Sequence, residues 1–182
     1  GKILVAGYSH NGSNMDFALV RYNADGSLDT SFSNDGMLTT AVGTGNDYAY
    51  SVVLQPDGKI LVAGEGIVAN RDFALVRYNA DGSLDTSFSG DGMLTTAIGP
   101  EWDIAQAVAV QADGSIVAAG YRGANGTPND VALVRYLADG TLDAGFGSGG
   151  IVTTDVSGSD AAWGLALQDD GRIVVAGGTG SF

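Results

Sequence analysis

The stretch Gly58-Lys59-Ile60-Leu61-Val62-Ala63-Gly64 decides the fold, because the chain writes it four times. It stands at Gly1 as Gly-Lys-Ile-Leu-Val-Ala-Gly, at Gly114 as Gly-Ser-Ile-Val-Ala-Ala-Gly and at Gly171 as Gly-Arg-Ile-Val-Val-Ala-Gly. Those start positions are 57, 56 and 57 residues apart. A fixed period of this size is the signature of a repeat architecture. Between the first two copies, Asp16–Gly43 and Asp72–Gly99 differ only at Asn34/Gly90 and Val42/Ile98. The third copy has drifted further but keeps the same skeleton.

Each unit predicts four strands. In the middle one, Ala49 to Gln55 is an apolar run with alternation, expected to put Tyr50, Val52 and Leu54 on one face. Pro56-Asp57-Gly58 follows, an Asp-Gly pair between two apolar runs and a strong hairpin signal. Lys59–Ala63 forms the second strand and Asp72–Tyr78 the third, its Phe, Leu, Val and Tyr suited to cover on both faces. Asn79-Ala-Asp-Gly82 turns the chain, and Met93–Ile98 makes the fourth. No window carries the apolar spacing of an amphipathic helix. The 29 glycines are spread evenly through the 182 residues, as many tight turns require.

Short antiparallel strands repeated at this period predict an all-β fold of β-propeller blades, with a β-solenoid-like stack as the alternative. Small residues recur on one strand, first Ser51, Ala107 and Gly164, then Val53, Ala109 and Ala166. Crowding around a central axis asks for such residues, so this strand is expected to be innermost. Counted from inner to outer strand, residues 1–43 form a partial blade lacking its inner strand, 47–99 and 103–156 are blades, and 160–182 is a second partial blade. Propellers have about 4–8 blades. The expectation is therefore a homo-oligomer or the continuation of a longer chain, since open blade edges invite association.

Two long motifs recur in fixed order: Arg-Tyr-Asn-Ala-Asp-Gly-Ser-Leu-Asp-Thr-Ser-Phe (Arg21–Phe32, Arg77–Phe88) and Leu-Gln-Pro-Asp-Gly-Lys-Ile-Leu-Val-Ala-Gly (Leu54–Gly64). They resemble the bacterial delta-60 repeat, and the strand layout resembles NHL-type blades. The third copy departs at Leu137, Ala144 and Gly145. The resemblance implies a propeller of unknown function in a large secreted or surface protein, hence an extracellular or cell-surface setting. It brings no catalytic residues.

Composition narrows the partners. Twenty-one acidic residues against 8 basic ones give a net charge of −13, which repels nucleic acid and anionic membrane surfaces. No apolar stretch approaches the roughly 20 residues that span a bilayer. There are no cysteines, so thiolate metal sites and disulfides are excluded. A protein or glycan ligand fits this balance, and divalent cations remain open.

The recurrent side chains read as maintenance of the blade. Arg21 with Asp25 and Asp29, Arg77 with Asp81 and Asp85, and Arg135 with Asp139 and Asp143 suggest a salt bridge pinning a turn to its strand. The alternative is an anion or carbohydrate site on every blade. Calcium at the turn Asn23–Asp29 would need 6–8 oxygen ligands, and the EF-hand spacing is absent. His10 is the only histidine and sits in a loop that reads as exposed, a poor start for a triad or zinc site. Acids are plentiful enough for paired carboxylates, but no pair stands out. The glycines at 145–150 lack the helix and lysine of a phosphate loop. Asn11-Gly-Ser and Asn125-Gly-Thr match the glycosylation sequon.

Variation is confined to two sets of connections. Those between second and third strands (Tyr8–Met15, Glu65–Arg71, Tyr121–Asn129) and those into the inner strand (Thr44–Tyr50, Pro100–Gln106, Ser157–Trp163) differ in every copy. In a propeller both lie on one face, opposite the near-invariant Asp-Gly turns. A ligand-adapted surface varies this way, and so does relaxed drift. Tyr48, Tyr50, Trp102, Gln106, Tyr121, Arg122 and Trp163 are the expected ligand-binding rim, with no catalytic residue and no cofactor. Three functions follow in order: a non-enzymatic binding or scaffold propeller segment, a purely structural repeat that self-assembles, and a carboxylate- or calcium-dependent carbohydrate-active enzyme.

Overall fold

The computed structural model describes residues 1–124 and 127–180, all of their regular elements being strands. The first sheet holds β1 (Ile3–His10), β2 (Met15–Tyr22) and β3 (Met37–Thr40). The second holds β4 (Tyr48–Leu54), β5 (Ile60–Ile67), β6 (Arg71–Tyr78) and β7 (Met93–Thr96). The third holds β8 (Asp103–Val110), β9 (Ile116–Ala124), β10 (Thr127–Tyr136) and β11 (Ile151–Thr154). β12 (Ser159–Leu167) and β13 (Ile173–Gly180) form a two-stranded sheet. Every pairing is antiparallel and strands follow one another in sheet order. These are propeller blades laid face to face, with β4, β8 and β12 as neighbouring inner strands. The antiparallel sheets differ from the parallel coils of a solenoid.

Alternation along the middle strands explains how one sheet serves two interfaces. Successive side chains of a strand point to opposite faces. Ile60 and Val62 of β5, with Ala74, Val76 and Tyr78 of β6, join Phe17, Leu19 and Phe32 of the first sheet in one core cluster. Leu61, Ala63, Phe73 and Leu75 point the other way, into a second cluster with Ala105, Val108, Ala118, Val134 and Tyr136. A central blade therefore needs consecutive apolar residues along the covered middle of these strands, and Ile60–Ala63 and Phe73–Val76 supply them.

Polar latches repeat at the seams between the first and second sheets and between the second and third. The Tyr78 hydroxyl bonds Thr40 Oγ1 at 2.7 Å, and the Tyr136 hydroxyl bonds Thr96 Oγ1 at 2.8 Å. The Ser33 amide donates to the Asp81 carbonyl at 2.9 Å, and Ser89 to Asp139 at 2.8 Å. Arg21 and Arg77 donate to the carbonyls of Ala80 and Ala138 on the next sheet. Asn34 and Gly90, one of the two differences between the first copies, both adopt positive φ (70° and 91°). Asn and Gly are the residues that tolerate that conformation, so the substitution conserves the backbone.

The inner strands depart from simple alternation. Pairing slips by one residue between Ala49 and Ser51 on β4, Ala105 and Ala107 on β8, and Ala162 and Gly164 on β12. Tyr50, Gln106 and Trp163 are thus equivalent bulge residues. The slip takes Tyr50 alone off the expected shared face of Tyr50, Val52 and Leu54. Beyond it the register is unbroken: Val52 packs in the first core cluster and Val53 in the second, and Leu54 is exposed at the strand end as Tyr50 is at the bulge. Second strands also run further than expected, so Glu65, Tyr121 and Arg122 lie in strands rather than loops. The fourth strand is shorter, ending at Thr96.

The bulge explains the last glycine of the repeated motif. A Cβ on Gly64, Gly120 or Gly177 would overlap the carbonyl oxygen of Tyr48, Ile104 or Ala161 on the bulged inner strand. Gly7, the same position in the first sheet, meets nothing within 4 Å. Gly64→Ala should therefore destabilise the chain by about 2–3 kcal/mol through overpacking. Gly7→Ala should stay within about 0.5 kcal/mol. Chemical denaturation of the two variants checks this, and equal losses would refute the account of the bulge.

Candidate functional site

The antiparallel register sets which residues share an end of the blade. Tyr48 pairs with Glu65 and Glu65 with Phe73, while Leu54 pairs with Ile60 and Ile60 with Tyr78 at the other end. The copy-variable residues collect at the first end and the Asp-Gly turns at the second. Gly58, Gly114 and Gly171 hold φ near 85° in those turns (85°, 87° and 84°).

At the variable end, one aspartate per blade ties the incoming connection to the inner strand. Asp47 accepts the amides of Val42 (2.8 Å), Gly43 (2.9 Å) and Ile67 (3.0 Å). Asp103 accepts those of Ile98 (2.6 Å) and Gly99 (2.9 Å), and Asp160 those of Val156 (2.6 Å) and Ser157 (3.1 Å). Fixed connections leave the neighbouring bulge residues in defined positions.

The bulge residues face outward. Tyr50 is 41% exposed and Trp163 is 65% exposed, with Gln106 half-buried. The Trp163 ring lies over Gly178, whose added Cβ would sit 3.2 Å from it. Trp102, 45% exposed, lies against Gly123 in the same manner. Both indoles rest on backbone that lacks a side chain. Tyr8 meets Tyr48 edge-on with ring centroids 4.8 Å apart, and Tyr48 runs nearly parallel to Tyr50 at 6.4 Å. Tyr8 was absent from the expected rim, although its position is that of Tyr121 and Glu65 in the repeat. Arg122 pairs with Asp130 through Nη2 at 2.6 Å rather than standing free.

Glu65 carries the unusual electrostatics. It is 1% exposed and occupies the position held by Tyr8, Tyr121 and Gly178 in the other copies. Oε1 accepts the Tyr50 hydroxyl at 3.0 Å and sits 3.4 Å from Arg71 Nη1, whereas Oε2 has no partner. Burial raises its pKa, with the Arg71 charge opposing. Burial likewise raises the Tyr50 phenol, reinforced by the Glu65 charge.

The repeated arginines stand elsewhere. Nε of Arg21, Arg77 and Arg135 bonds Asp29, Asp85 and Asp143, each at 2.7 Å. Each guanidinium also covers a ring, those of Phe32, Phe88 and Phe146, at 4.5, 4.6 and 4.5 Å. Asp25, Asp81 and Asp139 do not share these bridges. Their Oδ1 atoms accept the amides of Ser27 (3.0 Å), Ser83 (2.9 Å) and Thr141 (2.9 Å) inside their own turns. The expected three-residue clusters therefore divide into a bridge and a separate turn cap, because an Asp two residues before an amide closes an Asx turn. His10 accepts the Gly12 amide at 3.0 Å through Nδ1 and is exposed. Asn125 lies outside the described residues.

A family model described as "Domain of unknown function (DUF5122) beta-propeller" matches residues 1–32, 55–88 and 111–146. The chain belongs to this β-propeller family. The three matched segments each open near an Asp-Gly turn or a second strand and extend through the Arg–Asp–Phe motif, taking in the connections between second and third strands. The connections into the inner strands fall outside the match. No curated protein matches the chain. The family description names no enzymatic activity.

The acids at the two blade ends have opposed pH behaviour. Burial raises Asp72 and Asp103, and the Asp103 charge raises Asp72 further. A carboxyl raised by folding adds stability while protonated, and that contribution is lost as pH climbs through its folded value. Asp29 is lowered, first by the Ser31 hydroxyl; Asp85 is lowered despite its burial, by Ser87, Lys59 and Arg77. Their contribution is present above about pH 4 and is lost as pH falls further. Thermal melts should therefore show greatest stability on the acid side of neutrality, with a decline below about pH 4. Asp72→Asn should raise the midpoint at pH 8 by about 2–4 °C and change it less at pH 4.5. A larger gain at pH 4.5 would contradict the assignment.

Proposed function

We propose that this chain is a non-enzymatic binding segment of a β-propeller whose ligand face is the rim at the variable ends of the inner strands. One observation carries the reading. The backbone bulge and its facing glycine are the same in three sheets, while the residue it presents is Tyr50, Gln106 or Trp163. Bulges re-aim side chains beside functional sites, and a constant mount with a changing group fits selection on the group. Tyr48, Trp102, Tyr121 and Arg122 extend the rim. A protein or glycan ligand suits it, since exposed aromatic faces provide contact area at low entropic cost. The net charge of −13 disfavours nucleic acid. The delta-60 resemblance supports a secreted or surface setting.

A structural, self-assembling role is the second reading, favoured by the latches. Tyr22 and the carbonyls of Ala24 and Asp25 occupy the positions at which the second and third sheets receive the blade before them. Arg135 and Thr154 occupy those that grip the following blade. An adjoining blade of the same pattern, in a longer chain or a second copy, would find both halves already in place.

The two tryptophans of the chain both stand on the rim, so their emission reports ligand there. Titration with soluble oligosaccharides and peptides should shift it. Tyr50→Ala, Trp102→Ala and Trp163→Ala should each weaken binding by about tenfold or more. The two tryptophan variants should keep thermal midpoints within about 2 °C of the parent, while Tyr50→Ala also costs stability because it takes the hydroxyl donor from buried Glu65. Emission unmoved by every ligand, or tryptophan variants that unfold instead, would return these residues to the core and leave the structural role.

A further inference from the structure

We infer that Glu65 is the anionic end of a subsite for a primary ammonium group, a lysine side chain or an amino sugar; this rests on the rim reading above. The carboxylate stands on the rim side of β5, at a position where the other copies place Tyr8, Tyr121 and Gly178, so the blade does not need an acid there. Burying an unpartnered charge is costly, and a buried carboxylate persists where charged or hydrogen-bonding partners meet it. Glu65 has partners on one oxygen only. Tyr50 and Arg71 both address Oε1, and Oε2 is buried with none.

The Arg71 contact is not the paired fork that an arginine makes with a committed carboxylate. A single nitrogen approaches to 3.4 Å, and the Arg71 side chain is 44% exposed. Arg77 also meets Asp85 through one nitrogen, but at 2.7 Å, almost fully buried and with its other nitrogens engaged. Tyr50, the other partner, is itself partly exposed. The carboxylate thus lies beneath two partly exposed groups, Tyr50 and Arg71.

The surroundings select a cation over a neutral hydroxyl. Tyr48 and Tyr50 present aromatic faces, and Tyr121 of the next sheet stands near enough to feel the Glu65 charge. Aromatic faces attract ammonium groups. The net charge of −13 raises the local concentration of any cation. An ammonium supplies the charged donor that Oε2 lacks, whereas a hydroxyl leaves the buried charge in place.

The test titrates the complete chain with two matched pairs. One is a short lysine peptide and its Nε-acetylated form; the other is a glucosamine oligomer and its N-acetylated form. The free amine of at least one pair should bind about tenfold tighter than its acetylated partner, and which pair responds identifies the source. Glu65→Gln should abolish the preference, while Arg71→Ala, which removes the competing cation from a half-exposed position, should strengthen amine binding several-fold. Should Glu65→Gln fail to fold, the Arg71→Ala result decides. Equal binding of amine and acetyl forms, an amine preference that survives Glu65→Gln through general charge attraction, or weaker binding by Arg71→Ala would overturn the subsite. If the acetylated probes bind and Trp163→Ala weakens them, the rim reading stands without the ammonium subsite. If no probe binds at all, both fall.

Discussion

The contact between a bulged inner strand and a glycine without a side chain governs the rest of this structure. Tyr48, Ile104 and Ala161 place their carbonyl oxygens where a Cβ of Gly64, Gly120 or Gly177 would be. Removing the Cβ lets the two strands approach, the approach permits the bulge, and the bulge turns one residue per blade outward. A steric requirement at the second strand therefore determines what the first strand displays. The bulge itself is held by backbone, and the side chain it presents adds contacts of its own, as Tyr50 does with Glu65 and Trp163 with Gly178.

Around that contact the blades are joined by two kinds of interaction with different tolerance. Apolar residues alternate between two core clusters and need only the right size and face. The polar latches are more exacting. Each guanidinium serves an aspartate and an aromatic ring, and those of Arg21 and Arg77 also serve a carbonyl of the next blade. That threefold use accounts for the near-identity of the Arg–Asp–Phe motif between copies. The variable rim lies at the far end of the strands from these latches, so change there does not disturb the seams.

Much of this was legible in the residues. The 57-residue spacing, the Asp-Gly turns and the doubly covered third strand identify blades without coordinates, and the small residues of β4, β8 and β12 identify the innermost strand. The bulge was not legible, since Ala49-Tyr50-Ser51-Val52 reads as ordinary alternation and one inserted residue leaves no compositional mark. Its trace is the constant glycine opposite, whose reason lies on another strand. Glu65 was hidden because the second strand was expected to end at Ala63. Comparing Tyr8, Glu65, Tyr121 and Gly178 down the repeat is the signal that finds it, being the one acid in a column of aromatics and glycine. The split of Asp25 from Asp29 was hidden for a different reason: both are spaced to reach the arginine, and only the turn geometry assigns one to the backbone.

The central claim is that mount and display are separable, and exchanging display residues tests it most directly. In a chain carrying Gln106→Trp and Trp163→Gln together, the thermal midpoint should stay within about 2 °C of the parent's and the pattern of affinities across the oligosaccharide and peptide panel should change. A large loss of stability would show that each bulge is fitted to its own side chain. An unchanged affinity pattern in a well-folded protein would show that the rim is not where ligand is recognised.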